Sequence, residues 1–216
     1  MKTFVLNQQH SLANEFLAEL RQPSVQKDRL RFRLNLERLG EILAYELSKT
    51  LDYEPTTVPT PLGDSPTFLL KESPILVAVL RAGLPFYQGF LRFFDKSDST
   101  FIGAYRGKHN ENHEFEIEMH YVTSASVHDK TVIIVDPMLA TGKSVVSAYE
   151  RLLQYGIPKK LHVVATIATN EGLNYIHSQI PTAQFWVGAI DPILNPNFYI
   201  VPGLGDAGDL AFGEKI

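Results

Sequence analysis

The sequence contains no cysteine among its 216 residues. This absence excludes a disulfide framework, a thiolate nucleophile and any zinc or iron–sulfur site built on cysteine. Long apolar runs are also missing, since a run such as Ile75 to Leu80 is far too short to span a membrane. The only apolar run near the start is Phe4 to Leu6, which is shorter than a secretory signal peptide needs. We therefore expect a soluble, cytoplasmic protein with no membrane partner.

Charge of one sign is not concentrated anywhere in the chain. Lys and Arg number 20 and Asp and Glu number 24, which gives a formal net charge of −4. Sequence-independent nucleic-acid binding depends on a basic patch, so we expect no nucleic-acid partner. The length is that of one domain large enough to bury a core without covalent cross-links.

Apolar runs alternate with segments of helical periodicity over the later part of the chain. Continuous apolar runs are typical of strands that are buried on both faces, as in parallel sheets. Strand–helix alternation therefore predicts an α/β fold with an open parallel sheet flanked by helices. The predicted strands are 74–80, 131–135, 161–168 and 185–187, and the predicted helices are Leu84–Phe94, Ser144–Tyr155 and Asn170–Gln179.

The first part of the chain has a different character. Apolar residues at helical spacing predict a short helix near Ser11–Leu20 and a long one over Leu30–Leu47, within a helical region over residues 1–50. The proline-rich stretch Pro55–Pro66 predicts extended structure and a turn, because proline is unfavourable in helices and central strands.

Residues 101–130 interrupt the strand–helix alternation. The segment 101–106 is predicted to be a strand, and residues 113–122 alternate between polar and apolar side chains. This period of two predicts a half-exposed antiparallel ribbon. We interpret about 107–127 as a flap or arm inserted into the sheet.

The segment after the strand 131–135 carries the clearest chemical signal. Asp136 comes at the carboxyl end of that strand, and a short loop with Thr141 and Gly142 leads into a helix near Ser144. Ligands of open α/β sheets bind at the carboxyl ends of strands, and a helix N-terminus favours phosphate. The hydroxyl groups can donate to phosphate, and a carboxylate suits sugar hydroxyls or a metal. These residues together favour a sugar phosphate.

Two other interpretations of this loop compete. A nucleotide-binding P-loop requires glycine where this chain has Pro137, so that interpretation is disfavoured. An ordinary strand-to-helix loop, with a serine or threonine capping the helix, fits the spacing alone about as well.

The amino-acid sequence of the loop is more specific than the spacing of its residues. DPMLATGKS (136–144) resembles the phosphoribosyl-diphosphate-binding loop of the uracil phosphoribosyltransferase family, which typically reads DPMLATGGS. YIVPGLGDAGDLAFG (199–213) resembles the uracil-recognition segment of that family. Shorter matches occur in the same order along the chain: LAYE (43–46), TPLG (60–63), LRAG (80–83) and YR (105–106).

The resemblance implies a fold, a reaction and a set of site residues. We expect a single type I phosphoribosyltransferase domain over residues 1–216 that converts uracil and phosphoribosyl diphosphate (PRPP) to UMP and diphosphate in pyrimidine salvage. It implies catalytic roles for Arg106 and Asp206, and uracil binding by Ile200, Gly205, Asp206 and Ala207. It assigns PRPP binding to Arg81, Arg106, Asp136, Pro137, Met138, Leu139, Ala140, Thr141, Gly142, Lys143, Ser144 and Asp206.

The resemblance also implies a cofactor and an assembly. Mg²⁺ is expected to be held through PRPP oxygens, with Asp206 as the one candidate protein ligand. Uracil and PRPP are the expected small-molecule partners, and a homodimer or larger homo-oligomer is the expected assembly.

The chain departs from the family pattern at three places. Lys143 stands where the family usually has glycine, the predicted ribbon lacks the usual proline-containing flap sequence, and DPILNPNF (191–198) replaces the usual approach to the base site. Two alternative functions therefore stay open. One is a phosphoribosyltransferase-fold regulator that binds nucleotide or RNA, and the other is a relative that acts on another base.

Overall fold

The computed structural model describes residues 1–109 and 115–214, with the side chains of residues 104–121 outside the description. Its strands are β1 (Lys2–Val5), β2 (Tyr53–Thr60), β3 (Gly63–Leu70), β4 (Ile75–Leu80), β5 (Ser99–His109), β6 (Phe115–Thr123), β7 (Thr131–Val135), β8 (Met138–Leu139), β9 (Lys160–Thr169), β10 (Gln184–Asp191), β11 (Ile193–Leu194) and β12 (Ile200–Val201). Its α-helices are α1 (Ala13–Arg21), α2 (Arg29–Ser48), α3 (Gly83–Phe93), α4 (Lys143–Leu152), α5 (Asn170–Gln179) and α6 (Ala207–Phe212).

A mostly parallel sheet forms the centre of the fold. Its strand order is β1-β10-β9-β7-β4-β5-β6, with the short β8 beside β9. Neighbouring strands are parallel except for β5 and β6. The central strands β4, β7 and β9 are buried almost throughout, because helices cover both faces of the sheet. The predicted open parallel sheet flanked by helices is confirmed.

Two apolar layers separate the sheet from its helices. One layer contains buried side chains of α1, α2, α3 and α6, and the other contains those of α4 and α5. Alternate residues of each strand enter opposite layers: Leu76 and Ala78 face the first, while Ile75 and Val77 face the second. Continuous apolar strands are therefore required here, as the sequence predicts.

The N-terminal region is helical apart from its first strand. The predicted short and long helices form as α1 and α2, and the Asp28 side chain caps α2 by accepting a hydrogen bond from Arg31 N. Residues Lys2–Val5 instead extend the sheet as β1, parallel to β10. This strand was not predicted, because four residues are too few to show a period.

The proline-rich stretch is extended and has a turn, as predicted. The chain folds back within this stretch, so that β2 and β3 form a two-stranded antiparallel hairpin that is separate from the main sheet. Exposed apolar side chains lie along this hairpin, including Leu62 and Phe68.

The predicted antiparallel ribbon is present as β5 and β6. Residues 110–114 lie outside the described residues, so the role of about 107–127 as a flap or arm stays a prediction. Within the described part of the chain, no helix is both long enough and apolar enough to cross a membrane.

Candidate active site

The direction of winding reverses between β4 and β7. From β4 the chain passes through α3 to β5 on one side, and from β7 it passes through α4 to β9 on the other side. Neighbouring parallel strands that lead away in opposite directions leave a crevice at their carboxyl ends. Arg81 follows β4 and Asp136 follows β7, so the topology brings these two predicted site residues to one crevice.

The loop after β7 is held by main-chain contacts with β9. Asp136 N donates to Val164 O at 3.1 Å, and Pro137 O accepts from Thr166 N and Ile167 N at 3.0 and 3.1 Å. The Asp136 carboxylate is half-buried, and its Oδ1 accepts from Met138 N at 3.3 Å. The acid is therefore fixed at the floor of the crevice.

Gly142 ends this loop and begins α4. Its φ is +75°, and a Cβ built there would lie 2.7 Å from Gly172 O. A glycine is required at this position because a side chain would be both strained and in collision with α5. Since Gly142 is the N-cap residue, it brings no side chain to the first turn of α4.

A small cavity of about 40 Å³ lies against this loop. Six of the nine predicted loop residues line it, together with Val145, which the sequence did not single out: the lining is Asp136, Met138, Ala140, Thr141, Gly142, Ser144 and Val145. Pro137, Leu139 and Lys143 do not line it. The Pro137 carbonyl is occupied by β9, and the Leu139 side chain is buried in the core, so these two residues support the loop from behind.

Thr169 supports the same loop and was missed at the sequence level. Its buried hydroxyl donates to Ala140 O at 2.7 Å and accepts from Gly172 N at 2.9 Å. The hydroxyl therefore ties the loop 136–144, the phosphate-loop candidate, to the start of α5. The available sequence signal was only a Thr-Asn step at a predicted helix start, which indicates an N-cap but not its second partner.

Arg81 reaches from the end of β4 to α6. Its Nη2 lies 3.0 Å from Asp209 Oδ1, and its side chain is 44% exposed. A Cβ built on Gly208 would lie 3.6 Å from the same Nη2. Arg81 therefore stands between the crevice and the segment 199–213, which the resemblance assigns to uracil.

The segment 199–213 forms a short strand, a tight loop and a short helix. Ile200 lies in β12, which pairs with β11, and Ala207 begins α6. Asp206 caps α6, because its Oδ1 accepts from Asp209 N at 3.0 Å. Gly205 is exposed with a φ of +95°, between these two elements. All four predicted uracil-binding residues therefore fall within residues 200–207, directly before Gly208 and Asp209, which lie beside Arg81.

The chain is similar to known proteins over its whole length. The family model described as uracil phosphoribosyltransferase matches residues 6–214. A protein of Porphyromonas gingivalis named uracil phosphoribosyltransferase is 46% identical over 217 residues and covers 100% of both chains. A protein of the same name from Pyrococcus furiosus is 39% identical, covering 94% of this chain and 86% of its own.

The chain belongs to the uracil phosphoribosyltransferase family.

A solved structure agrees with this assignment at the level of the fold. The AQ2163 protein from Aquifex aeolicus superimposes with a TM-score of 0.87 at 32% identity, covering 98% of each chain. The family predicted from the two long motifs is confirmed, and with it the fold expected of a type I phosphoribosyltransferase. The roles of individual site residues stay predictions.

Two predicted parts of the uracil phosphoribosyltransferase site, the Arg106 contact and a metal site, are not placed by the described residues. Arg106 lies in β5, but its side chain falls outside the described residues, so its predicted contact with PRPP is not placed. Among the residues that the structure describes, no three His, Cys, Asp or Glu side chains are grouped so that they could hold a metal ion.

Proposed function

We propose that the chain transfers the 5-phosphoribosyl group of PRPP to uracil. The bond between ribose C1 and the diphosphate oxygen breaks, a bond between C1 and uracil N1 forms, and the N1 proton is released. The observation that carries this proposal is the crevice between β4 and β7, where the loop after Asp136 lies next to Arg81, whose side chain reaches Asp209 of the segment 199–213. Membership of the uracil phosphoribosyltransferase family supports the same reaction.

The loop 140–144 and the start of α4 would hold the 5′-phosphate. Thr141 and Ser144 offer hydroxyl donors, and a helix N-terminus is favourable for an anion. Lys143 is the first residue of α4, where a cation opposes the helix dipole. A bound phosphate would reverse this balance, so we propose that Lys143 faces the phosphate or solvent without obstructing the loop.

Charged residues would contact the remaining parts of PRPP, the ribose and the diphosphate. Asp136 would accept from the ribose hydroxyls, and Arg81 and Arg106 would hold the diphosphate, because guanidinium groups suit bidentate phosphate contacts. As the diphosphate departs, positive charge develops on the ribose. A carboxylate at Asp136 or Asp206 stabilises that charge.

Uracil would be read by main-chain groups of Ile200, Gly205 and Ala207. Uracil offers acceptors at O2 and O4 and a donor at N3, whereas cytosine accepts at N3 and donates from its 4-amino group. A main-chain N–H or C=O cannot exchange roles, so cytosine would leave buried polar groups unpaired at about 1–3 kcal/mol each. The proposed substrate is therefore uracil, or an analogue with the same pairing edge such as 5-fluorouracil.

Magnesium fits the chemistry of this site when it is shared with the substrate. The carboxylates of Asp136 and Asp206 are hard oxygen ligands, and Mg²⁺ commonly combines one or two carboxylates with substrate phosphate oxygens. Asp206 would be the main protein ligand. When bound, the ion would offset the negative charge of the diphosphate.

The direct test is release of diphosphate from PRPP with uracil, with and without Mg²⁺. We expect turnover that requires uracil and that falls at least about tenfold when the metal is chelated. No turnover with uracil would refute the proposed reaction. Full activity in excess chelator would refute the metal proposal alone.

The proposal extends to assembly and location. The hairpin β2–β3 exposes Leu62, Phe68 and Leu69, and a two-stranded hairpin alone is only marginally stable in water. These observations support a homo-oligomer in which a second copy covers the hairpin. A cytoplasmic location is supported by the lack of cysteine, since many proteins of oxidising compartments rely on disulfides.

A further inference from the structure

A buried carboxylate lies outside the residues assigned to the site. Asp191 ends β10, and its side chain is only 6% exposed. Both of its oxygens accept from Arg21 at the end of α1, at 2.7 and 2.8 Å. A buried charge is costly unless it is paired in this way. The unusual DPILNPNF stretch therefore begins at a residue bound to the N-terminal helical region.

The same ion pair holds one residue of the uracil segment on both sides. Gly203 N donates to Asp191 Oδ2 at 2.9 Å, and Gly203 O accepts from Arg21 Nη1 at 3.1 Å. The φ of Gly203 is +61°, and a Cβ there would collide with Ile200 O. Gly203 thus adopts a conformation that favours glycine, and both of its main-chain polar groups are bound.

A third side chain holds the next residue. Gln26 Nε2, in the turn between α1 and α2, donates to Leu204 O at 3.0 Å and to Leu20 O at 2.8 Å. We name Arg21, Gln26 and Asp191 the loop anchor. The loop anchor binds three main-chain groups of two consecutive residues, the N–H and C=O of residue 203 and the C=O of residue 204.

The anchored residues lie between the groups proposed to read the base. Ile200 precedes them, and Gly205 and Ala207 follow them. Main-chain recognition depends on the position of the backbone, since no side chain can adjust to compensate for a shift. We propose that the loop anchor consists of positioning residues that set the affinity and selectivity for uracil without touching it. This inference rests on the proposed function.

A merely structural role makes a different prediction. If the loop anchor only joined α1 to the sheet, its loss would lower stability and affect both substrates alike. If it positions the base-reading segment, its loss raises the Michaelis constant for uracil and leaves that for PRPP unchanged. Gln26 separates these outcomes best, because it is neutral and half-buried and its removal leaves no buried charge unpaired.

The experiment compares steady-state kinetics of Gln26→Met, Arg21→Lys and the parent at a temperature where all are folded. We expect the KM for uracil to rise about fivefold or more, with the KM for PRPP unchanged and a lower ratio of uracil to cytosine turnover. Arg31→Met is the matched control. Arg31 of α2 pairs with Glu19 of α1, so it also links the two helices that flank Gln26, but on the exposed side. This variant should match the parent in all three readouts.

Several results would overturn the inference. An unchanged KM for uracil in a folded Gln26→Met variant would do so, and so would an equal rise in both Michaelis constants. If Arg21→Lys fails to fold, Gln26→Met decides alone. A parent enzyme that makes no UMP would instead overturn the proposed function, and this outcome is distinct because it appears before any variant is compared.

Discussion

Opposite charges lie at the ends of two neighbouring strands in the proposed site. Asp136 follows β7 and Arg81 follows β4, so one carboxylate and one guanidinium reach the same crevice. Arg81 is bound to Asp209, and Asp206 caps α6 through the N–H of that same residue. Asp209 therefore links Arg81 and Asp206, two of the residues proposed to bind PRPP.

Among single residues, Asp136 provides the sharpest test of the proposed site. Asp136→Asn keeps an oxygen for Met138 N but removes the charge. We expect kcat/KM to fall about 100-fold, the effect of one preorganised electrostatic contact, with an unchanged melting temperature. Asp52→Asn is the control, because Asp52 pairs with Lys160 at the amino end of β9, away from the carboxyl ends of the strands where the proposed site lies. An Asp136→Asn variant as active as Asp52→Asn would contradict the assignment.

Asp206 requires a different substitution. Replacement by Ala would remove the cap of α6 as well as the carboxylate, at about 1 kcal/mol of stability. Asn is also a good cap, so Asp206→Asn should fold normally and lose activity about 100-fold. Kinetics combined with thermal unfolding check both parts. Full activity would remove the catalytic role and leave only the cap.

His162 gives the protein a pH-dependent stability that is unrelated to catalysis. Trp186 Nε1 donates to His162 Nδ1 at 3.0 Å. His162 Nε2 is buried with no hydrogen-bond partner among the described residues. Burial, together with the positive charges of nearby Lys160 and Lys2, lowers the pKa of His162 to about 4. The folded state therefore resists protonation of this side chain.

The direction of the effect follows from that pKa. An unfolded histidine takes up a proton below about pH 6.5, whereas folded His162 does so only near 4. The contribution is complete above about pH 6.5 and falls by about 3 kcal/mol towards pH 4. The free energy of unfolding, measured with urea at each pH across this range, should change less steeply with pH in His162→Gln than in the parent. Exposed His10 is the control, and His10→Gln should keep the parent slope.

At the scale of elements, the start of α4 depends on the start of α5. Thr169→Val should preserve the volume and lose both hydrogen bonds, to Ala140 O and from Gly172 N. We expect the KM for PRPP to rise about fivefold or more, because the phosphate loop loses its support. The measurement is the KM for each substrate in turn.

The same strand supplies a matched control. Thr166 is also buried in β9, but its hydroxyl has no hydrogen-bond partner among the described residues. Thr166→Val should therefore leave both Michaelis constants unchanged and preserve stability. A Thr169→Val variant that behaves like Thr166→Val would show that the phosphate loop does not need this support.

The elements differ in how far the sequence predicts them. The buried strands are marked by continuous apolar runs, the helices by helical periodicity, and the predicted phosphate loop 136–144 by a contiguous motif. β1 was missed because it depends on pairing with β10, which is distant in sequence. The loop anchor was missed for the same reason, since Arg21 and Asp191 lie 170 residues apart. Contacts of this kind leave no local pattern.

At the scale of the whole molecule, the hairpin β2–β3 leaves most of its residues exposed. Leu62 is fully exposed and Phe68 is 68% exposed. If a second copy covers them, Leu62→Asp and Phe68→Asp should convert a species of at least twice 24.3 kDa into a monomer. Sedimentation velocity measures this. Ile157→Asp is the control, because Ile157 is equally exposed at 67% but lies outside the hairpin. A monomeric parent would contradict the assembly.

Base selectivity depends on the fold, the PRPP site and the main-chain recognition of uracil together, so one comparison tests all three. The kcat/KM values for uracil and cytosine are compared at saturating PRPP. We expect uracil to be preferred by a factor of about 10⁴, as in other sites that read hydrogen bonds through fixed groups. Comparable turnover of the two bases would contradict it.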